Sequence, residues 1–331
     1  MDITLIGSGS WGSAFARLLV KHRHDVQVLT LTGEEAALLD ETRENPHFLP
    51  GVTLPRAIRF VAMGDADVSR AELVVYAVPT QAVREVARWV AGRRAPRSLQ
   101  LSLAKGYELG TLKRPTEVIA EETGVAAAAL SGPNHAEEVS RDMPSATVIA
   151  AADDAVAEVL QAAITSDTFR VYADDDVVGV EYCGAVKNPI AMAVGMSDGL
   201  GFGDNSRASL ITRSVAEMTR LGMVQGAHIG TFTGLAGIGD LIATCTSRHS
   251  RNRLAGELLA KGASPDEVER EVGQVVEGIP TAHALHDLAG RLGIDMPVTE
   301  NVYQVLEGRR TPRECVSDLM GRAPKKERLQ D

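Results

Sequence analysis

Asp2–His22 reads DITLIGSGSWGSAFARLLVKH. Asp2–Ile6 is a short apolar run of strand type, and Ser13–His22 follows with the apolar spacing of a helix. Between them lies Gly7-Ser-Gly9-Ser-Trp11-Gly12. A G-x-G-x-x-G run set between a strand and a helix has the context of a dinucleotide-binding turn. Gly7 permits the tight turn, Gly9 lets the backbone approach a pyrophosphate, and Gly12 lets the helix pack closely on the strand. The start of the helix adds unpaired N–H groups and a partial positive charge. The alternative is a turn of merely structural use.

Outward from this stretch, a second strand is expected at Asp25–Leu29. An NAD-type site places Asp or Glu at the end of that strand to bind the ribose diol. Here the end reads Leu29-Thr30-Leu31-Thr32, without carboxylate or arginine, so the choice between NAD and NADP stays open. Further strands are predicted at Ile58–Ala62, Leu73–Val78, Ser98–Leu103, Ala127–Leu130, Ala146–Ala150 and Phe169–Tyr172, with helices such as Gln81–Ala91 and Asp154–Ser166 between them. Alternating strands and helices predict a largely parallel, doubly wound α/β sheet over residues 1–180, a Rossmann-like NAD(P)-binding domain. Ligand-facing loops belong at the carboxyl ends of its strands. Three such loops carry unusual residues: Ala77-Val78-Pro79, Ala104-Lys105-Gly106 and Ser131-Gly132-Pro133-Asn134-His135-Ala136-Glu137. Lys105 is either a solvated turn lysine or a ligand-binding one.

After about residue 180 the strand signals stop. Leu210–Leu221, Arg253–Lys261, Pro265–Gly273, Thr281–Leu292 and Thr299–Leu306 have helical patterns, so residues 181–331 are expected to form an all-α substrate domain. Val180–Phe202 reads VEYCGAVKNPIAMAVGMSDGLGF, and Lys187 is the only charged residue between Tyr182 and Ser197. On a helix it shares a face with Cys183, Ile190, Ala191 and Val194. A lysine removed from water is driven toward its neutral form and can then give or take a proton. Asn188-Pro189 would start a new helix beside it, whose positive end would act in the same direction. The bland alternative is a lysine snorkelling out of a core helix. Its place at the junction of the two halves favours a ligand role.

Thr231–Asn252, TFTGLAGIGDLIATCTSRHSRN, is rich in glycine and hydroxyls. Asp240 has three readings there: a helix cap, a ligand for a substrate hydroxyl, or a counter-ion for Lys187. Ser250 fits an N-cap, and Arg248, Arg251 and Arg253 crowd the helix start that follows it. Basic residues suit the other end of a helix, so this crowding points to a bound anion, such as a phosphate held by N–H groups and an arginine fork. A solvated basic turn is the alternative.

Composition sets the outer limits. The chain has 331 residues, enough for two domains, and a formal charge of −10, which disfavours nucleic acid as a partner. Cys183, Cys245 and Cys315 are too few and too scattered for a disulfide framework. The pairs His22/His24 and His283/His286 lack companion ligands, so no metal site is expected and both pairs are read as surface residues. No apolar run has membrane length, and the chain opens directly on a strand, so cytoplasmic residence is expected. The tail from Pro324 to Asp331 is polar and expected to fray.

Together these stretches resemble the bacterial NAD(P)-dependent glycerol-3-phosphate dehydrogenase family over nearly the whole chain. The motifs are Gly7–Gly12, Asn45–Gly51 (NPHFLPG), Ala104–Gly106, Ser131–Glu138 (SGPNHAEE), Gly184–Pro189 (GAVKNP), Thr233–Thr244 (TGLAGIGDLIAT), Ser250–Asn252 and Glu277-Gly278. The resemblance implies NADH or NADPH as cofactor, with dihydroxyacetone phosphate and glycerol 3-phosphate as substrates. It implies that Ser10, Trp11, Ala136, Val275 and Glu277 contact the dinucleotide held on the loop of Gly7, Gly9 and Gly12. Lys105 would touch cofactor and substrate, and Gly132 and Asn134 would line the substrate site. Lys187 would be the proton acceptor. Asp240, Ser250, Arg251 and Asn252 would hold the substrate, with Arg251 also reaching the cofactor. It further implies a homodimer and a place in phospholipid synthesis. Leu31 stands where family members often carry an arginine. Two rivals remain: a related dehydrogenase acting on another hydroxy acid, which the basic turn disfavours, and a dinucleotide sensor without chemistry, which would not need Lys105, Lys187 and Arg251.

Overall fold

A computed structural model describes residues 1–323; the polar tail from Pro324 lies outside them. The chain divides into two compact units, Met1–Lys105 with Lys113–Val180, and Gly106–Leu112 with the residues from Glu181 onward. In the second unit the excursion Gly106–Leu112 is anchored by Tyr107, whose ring meets Tyr182 edge-on at 6.1 Å.

The first unit is built on ten strands: β1 (Asp2–Ile6), β2 (Asp25–Thr30), β3 (Glu44–Asn45), β4 (Leu49–Thr53), β5 (Ile58–Ala62), β6 (Leu73–Tyr76), β7 (Leu99–Ser102), β8 (Ala128–Ser131), β9 (Ser145–Ala150) and β10 (Phe169–Asp174). Eight of them form one sheet in the order β10-β9-β8-β7-β6-β1-β2-β5, while β3 and β4 make a separate hairpin. The sheet is parallel except between β8 and β9, which run antiparallel. Alternate side chains supply its two faces: Ile3, Leu5, Val26, Val28 and Val75 on one, Ile6, Leu29, Val74 and Tyr76 on the other. Leu5 is wholly buried, and each such side chain contributes about 1.5–3 kcal/mol. Helices α1 (Ser10–Lys21), α2 (Gly33–Thr42), α3 (Val83–Ala91), α4 (Pro115–Thr123), α5 (Ala136–Val139) and α6 (Asp154–Ile164) make the connections. Strand β1 lies between β6 and β2, so the chain reverses its direction of travel across the sheet there. That reversal leaves a crevice at the carboxyl end of β1.

Beyond Asp174 the described residues contain no strand. The helices are α7 (Val177–Gly199), α8 (Asp204–Val224), α9 (Ile229–Thr233), α10 (Asp240–Thr246), α11 (Arg251–Ala260), α12 (Pro265–Val272), α13 (Gly278–Leu292), α14 (Pro297–Leu306) and α15 (Pro312–Gly321). Several starts are written in the sequence. Ser264 and Glu267 form a capping box before α12, Thr311 and Glu314 another before α15, each with proline in the first turn.

Helix α7 departs from expectation. It does not restart at Asn188-Pro189 but continues through Pro189 to Gly199. A proline inside a helix costs about 3 kcal/mol in lost hydrogen bonding and clash. Burial offsets this, since Val180, Tyr182, Cys183, Val186, Ile190 and Met192 are all solvent-free. No new helix start therefore lies beside Lys187. Helix α11 packs against α7 through glycines. A Cβ on Gly195 would fall 1.9 Å from the Arg253 carbonyl oxygen, and one on Gly256 2.0 Å from that of Met192. Elsewhere in this unit Glu217 of α8 is buried and accepts hydrogen bonds from the N–H groups of Val298 (2.8 Å) and Thr299 (3.4 Å) at the start of α14. Burial pushes its carboxyl up to about 7, against the pull of those two donors.

Candidate active site

The glycine loop leaves β1 at Gly7, whose φ of 107° is left-handed territory. Its N–H donates to the Leu29 carbonyl at 3.0 Å, pinning the loop to β2. Two of the three glycines are fixed by contact: a Cβ on Gly7 would lie 2.5 Å from the Ala77 carbonyl oxygen, and one on Gly12 2.1 Å from that of Gly7. The third differs, because nothing lies within 4 Å of a Cβ on Gly9. The loop is therefore tight on its protein side and bare on the other. Gly9 caps α1 without a side-chain hydrogen bond, so the cap residue itself leaves the first-turn N–H groups uncovered. This cradle fits a pyrophosphate.

Residues outside the motif hold the loop. Asn45, 3% exposed, donates from Nδ2 to the Ser8 carbonyl (2.6 Å) and to Ser13 Oγ (3.0 Å), while Ser13 Oγ donates to the same carbonyl (3.1 Å). The NPHFLPG stretch thus braces the loop through its first residue. Trp11 packs on Phe15 and Phe169, with ring centroids 5.6 and 6.3 Å away, and against the cluster that contains Ala136. Its indole Nε1 is buried with no acceptor among the described residues. Farther along the sheet, Lys105 Nζ donates to the Gly132 carbonyl (3.1 Å) and to Asn134 Oδ1 (3.3 Å), joining the loops after β7 and β8. Asn134 Nδ2 donates in turn to Thr147 Oγ1 at 3.0 Å.

In the second unit Lys187 is 7% exposed and Asp240 2%. Lys187 Nζ lies 2.5 Å from Asp240 Oδ1 and 2.8 Å from Thr244 Oγ1. Thr244 Oγ1 also lies 2.7 Å from the Asp240 carbonyl oxygen. Of the three readings of Asp240, the counter-ion is the one its geometry matches; Gly239 caps α10 with no help from a side chain. The preceding wide turn, Leu235–Gly239, aims it. Gly237 there has φ −87° and ψ −106°, and a Cβ would meet the Phe232 carbonyl oxygen at 2.3 Å. Wide turns of this kind recur at functional sites. Thr244, one turn after Asp240, carries no sequence signal beyond its spacing. Burial pushes the neighbouring Cys245 thiol up to about 12, and the charge of Lys187 only partly opposes this, so Cys245 stays protonated.

Asn188 and Asn252 tie this pair to the basic turn. Asn252 Nδ2 donates to Asn188 Oδ1 (2.9 Å), and its own Oδ1 accepts from the Gly278 N–H (2.9 Å) at the start of α13. Ser250 caps α11, accepting from Arg253 N–H at 3.2 Å. The arginines differ. Arg253 is engaged by Asp198 at 3.2 Å, by Glu257 and by the Ser247 carbonyl, so its charge is structural. Arg251 is exposed and donates to Gln274 Oε1 at 3.2 Å, next to exposed Val275 and to Glu277, which precedes α13. The expected residues thus form two groups. Gly7, Gly9, Ser10, Trp11, Gly12, Lys105, Gly132, Asn134 and Ala136 belong to the first unit; Lys187, Asp240, Ser250, Arg251, Asn252, Val275 and Glu277 belong to the second. Among the described residues no three His, Cys, Asp or Glu side chains are grouped to hold a metal ion, and no helix is long and apolar enough to cross a membrane. His22, His24, His283 and His286, read as surface residues, are all half-buried.

A bare glycine cradle on a doubly wound sheet, with a buried lysine–carboxylate pair on a helical unit, defines an oxidoreductase of the dinucleotide-dependent kind. Residues 2–157 match the family described as NAD-dependent glycerol-3-phosphate dehydrogenase N-terminus, and residues 176–317 match its C-terminus. The chain belongs to the NAD-dependent glycerol-3-phosphate dehydrogenase family. It is 49% identical over 321 residues to a glycerol-3-phosphate dehydrogenase (NAD(P)+) of Moorella thermoacetica, covering 97% of this chain and 96% of that one. A relative of the same name from Desulfitobacterium hafniense is 46% identical, covering 98% of this chain and 92% of its own. The crystal structure of a glycerol-3-phosphate dehydrogenase from Coxiella burnetii superposes with a TM-score of 0.93 at 34% identity, covering 97% of this chain and 99% of that one.

Proposed function

We propose that the protein catalyses reversible hydride transfer between NAD(P)H and carbon 2 of a three-carbon phosphate, reducing dihydroxyacetone phosphate to sn-glycerol 3-phosphate. The observation that carries this reading is the buried Lys187–Asp240 pair at 2.5 Å. NAD(P)H, when bound, supplies the hydride. The chain supplies position and the proton. Asp240 and Thr244 hold the Lys187 ammonium in a dry setting, where its charge acts strongly on a nearby oxygen. As C2 is reduced, the ammonium stabilises the developing alkoxide and donates its proton to that oxygen. In the oxidative direction the neutral amine takes the same proton from the C2 hydroxyl.

The rest of the site orients the reactant. The first-turn N–H groups of α11 and the guanidinium of Arg251 receive the phosphate. Asn252 uses one amide hydrogen on Asn188, which leaves its second for the substrate. We assign substrate contacts also to Lys105, Gly132 and Asn134 on the loops of the first unit, as the resemblance implies. Dinucleotide contacts are assigned to Ser10, Trp11 and Ala136 on the first unit and, from the resemblance, to Val275, Glu277 and Arg251 on the second. We assign residues 1–180 to cofactor binding and the rest to substrate binding. The product is the phosphate backbone of glycerophospholipids, so we place the reaction in their synthesis, in the cytoplasm, by a homodimer. All three cysteines are buried thiols, in keeping with a reducing compartment.

The test follows NADH and NADPH oxidation by absorbance with dihydroxyacetone phosphate and with dihydroxyacetone. Oxidation only with the phosphorylated ketone is expected. Equal rates with both would remove the phosphate site from the argument.

A further inference from the structure

The residue that chooses between the two cofactors lies beyond the end of β2. The Leu31 side chain, where the residue is 86% exposed, offers no polar atom to a ligand. Glu35, in the first turn of α2, folds back instead. Its Oε1 accepts a hydrogen bond from Ser8 Oγ, within the loop, and its Oε2 accepts one from Leu31 N–H at 3.2 Å. A capping glutamate at this position returns to the N–H of the cap residue, here Thr32. Glu35 passes it by, and its half-buried carboxylate bridges the glycine loop to the end of the second strand. In a doubly wound sheet that gap receives the adenosine ribose.

We propose that Glu35 binds the ribose diol of the dinucleotide and makes this enzyme prefer NAD(H) to NADP(H). The inference rests on the dinucleotide reading above. An ionised carboxylate has about four acceptor positions. Ser8 and Leu31 fill two, and two remain for the 2′- and 3′-hydroxyls, which can donate. A 2′-phosphate offers no such donor and brings a charge of about −1.5 to −2. It would meet Glu35 and Glu34 at the start of α2 and Asp65 just past β5, with no lysine or arginine in residues 30–35 or 61–66. The hydroxyls at the strand end are already engaged. Thr30 Oγ1 donates to the Thr32 carbonyl at 2.8 Å, and Thr32 Oγ1 caps α2 by accepting from Glu35 N–H at 3.2 Å.

Calorimetric titration of the full-length protein with NADH and with NADPH, without substrate, tests this. Wild type should bind NADH at least about tenfold more tightly, since like charges brought together cost several kcal/mol. Glu35→Gln, which keeps an acceptor but removes the charge, should tighten NADPH, weaken NADH and reduce the ratio at least about fivefold. Leu31→Arg alters an exposed side chain and is not expected to disturb folding. It should tighten NADPH while leaving NADH within about twofold. NADPH binding as tight as NADH in wild type would overturn the proposal, as would a folded Glu35→Gln variant with an unchanged ratio. If Glu35→Gln does not fold, wild type and Leu31→Arg are titrated with ADP-ribose and its 2′-phosphate. A wild-type preference for ADP-ribose that Leu31→Arg narrows supports the proposal, and equal wild-type affinity for the two overturns it. Failure of wild type to bind either cofactor would instead strike the dinucleotide reading itself.

Discussion

The glycine loop of the first unit and the lysine pocket of the second do opposite things with side chains. The loop works by their absence: Gly7 and Gly12 leave room for neighbouring carbonyls, and Gly9 leaves an open face. The pocket works by one charge, Lys187, held away from water by Asp240 and Thr244. On the proposed mechanism, affinity for an anion comes from backbone N–H groups in one region, and proton transfer from a buried amine in the other. Changes to the two regions should separate binding from chemistry.

The largest effect is expected from Lys187→Ala. Turnover should fall by about 10²–10⁴-fold, the usual worth of a positioned acid or base. Leaving Asp240 buried without its partner should also cost about 3–5 kcal/mol in unfolding. NADH affinity, measured on the folded fraction, should stay near wild type. A variant that keeps a tenth of wild-type turnover would take the lysine out of the mechanism.

Asn45→Ala should give the converse pattern. It removes two donors from the Ser8 carbonyl and Ser13 without touching the lysine pocket. Phe48 N–H also loses its acceptor, Asn45 Oδ1 at 3.1 Å, and three lost hydrogen bonds correspond to about 1.5–4.5 kcal/mol. Weaker NADH binding with kcat at saturating cofactor nearly unchanged would sharpen the contrast. Unaltered NADH affinity would show that the loop keeps its shape unaided.

A further effect concerns a buried carboxyl in the second unit. Among the described residues Glu217 has no ion pair of the kind Asp240 gives Lys187; its hydrogen-bond partners are backbone N–H groups. Its carboxyl sits at about 7 in the fold against 4.5 unfolded, so folding favours the protonated form. The stability this gives is complete below pH 4.5 and is lost as pH rises through 7, a swing on the order of 3 kcal/mol. Glu217→Gln does not titrate, so its melting temperature should gain on wild type between pH 5 and pH 8. Parallel curves for the two proteins would mean that Glu217 does not change protonation in this range.

How much of the molecule is legible in its sequence depends on which interactions set each element. The central parallel strands are readable because they are buried apolar runs, such as Leu73–Tyr76; the edge strand Ile58–Ala62, where only Ile58 is buried, nevertheless appears with its predicted bounds. The capped helices α12 and α15 announce themselves in Ser264, Glu267, Thr311 and Glu314, although only α12 is among the predicted helices. The hairpin Glu44–Thr53 is not legible: one strand has two residues, and the other contains Pro50 and Gly51. Pro189 misleads because local propensity favours a break where tertiary burial keeps α7 whole. In the candidate site, Lys187 stands out as a lone charge among apolar neighbours. Its contacts with Asp240 and Thr244 join residues more than fifty positions apart, and no local pattern encodes them. Asn45 and Glu35 escape a functional reading for the same reason, since each acts on Ser8 through a tertiary contact.

The glycine contacts between α7 and α11 have a consequence for selectivity by length. Gly195 and Gly256 let the two backbones touch, and Asn188 is bonded to Asn252 across that seam. The amine proposed to handle the proton and the turn proposed to grip the phosphate are thus mounted on one stiff frame. Such a frame is a ruler. If the proposed roles hold, it should accept a ketone one methylene away from its phosphate ester and turn away homologues with a longer spacer, because neither end can slide to meet them.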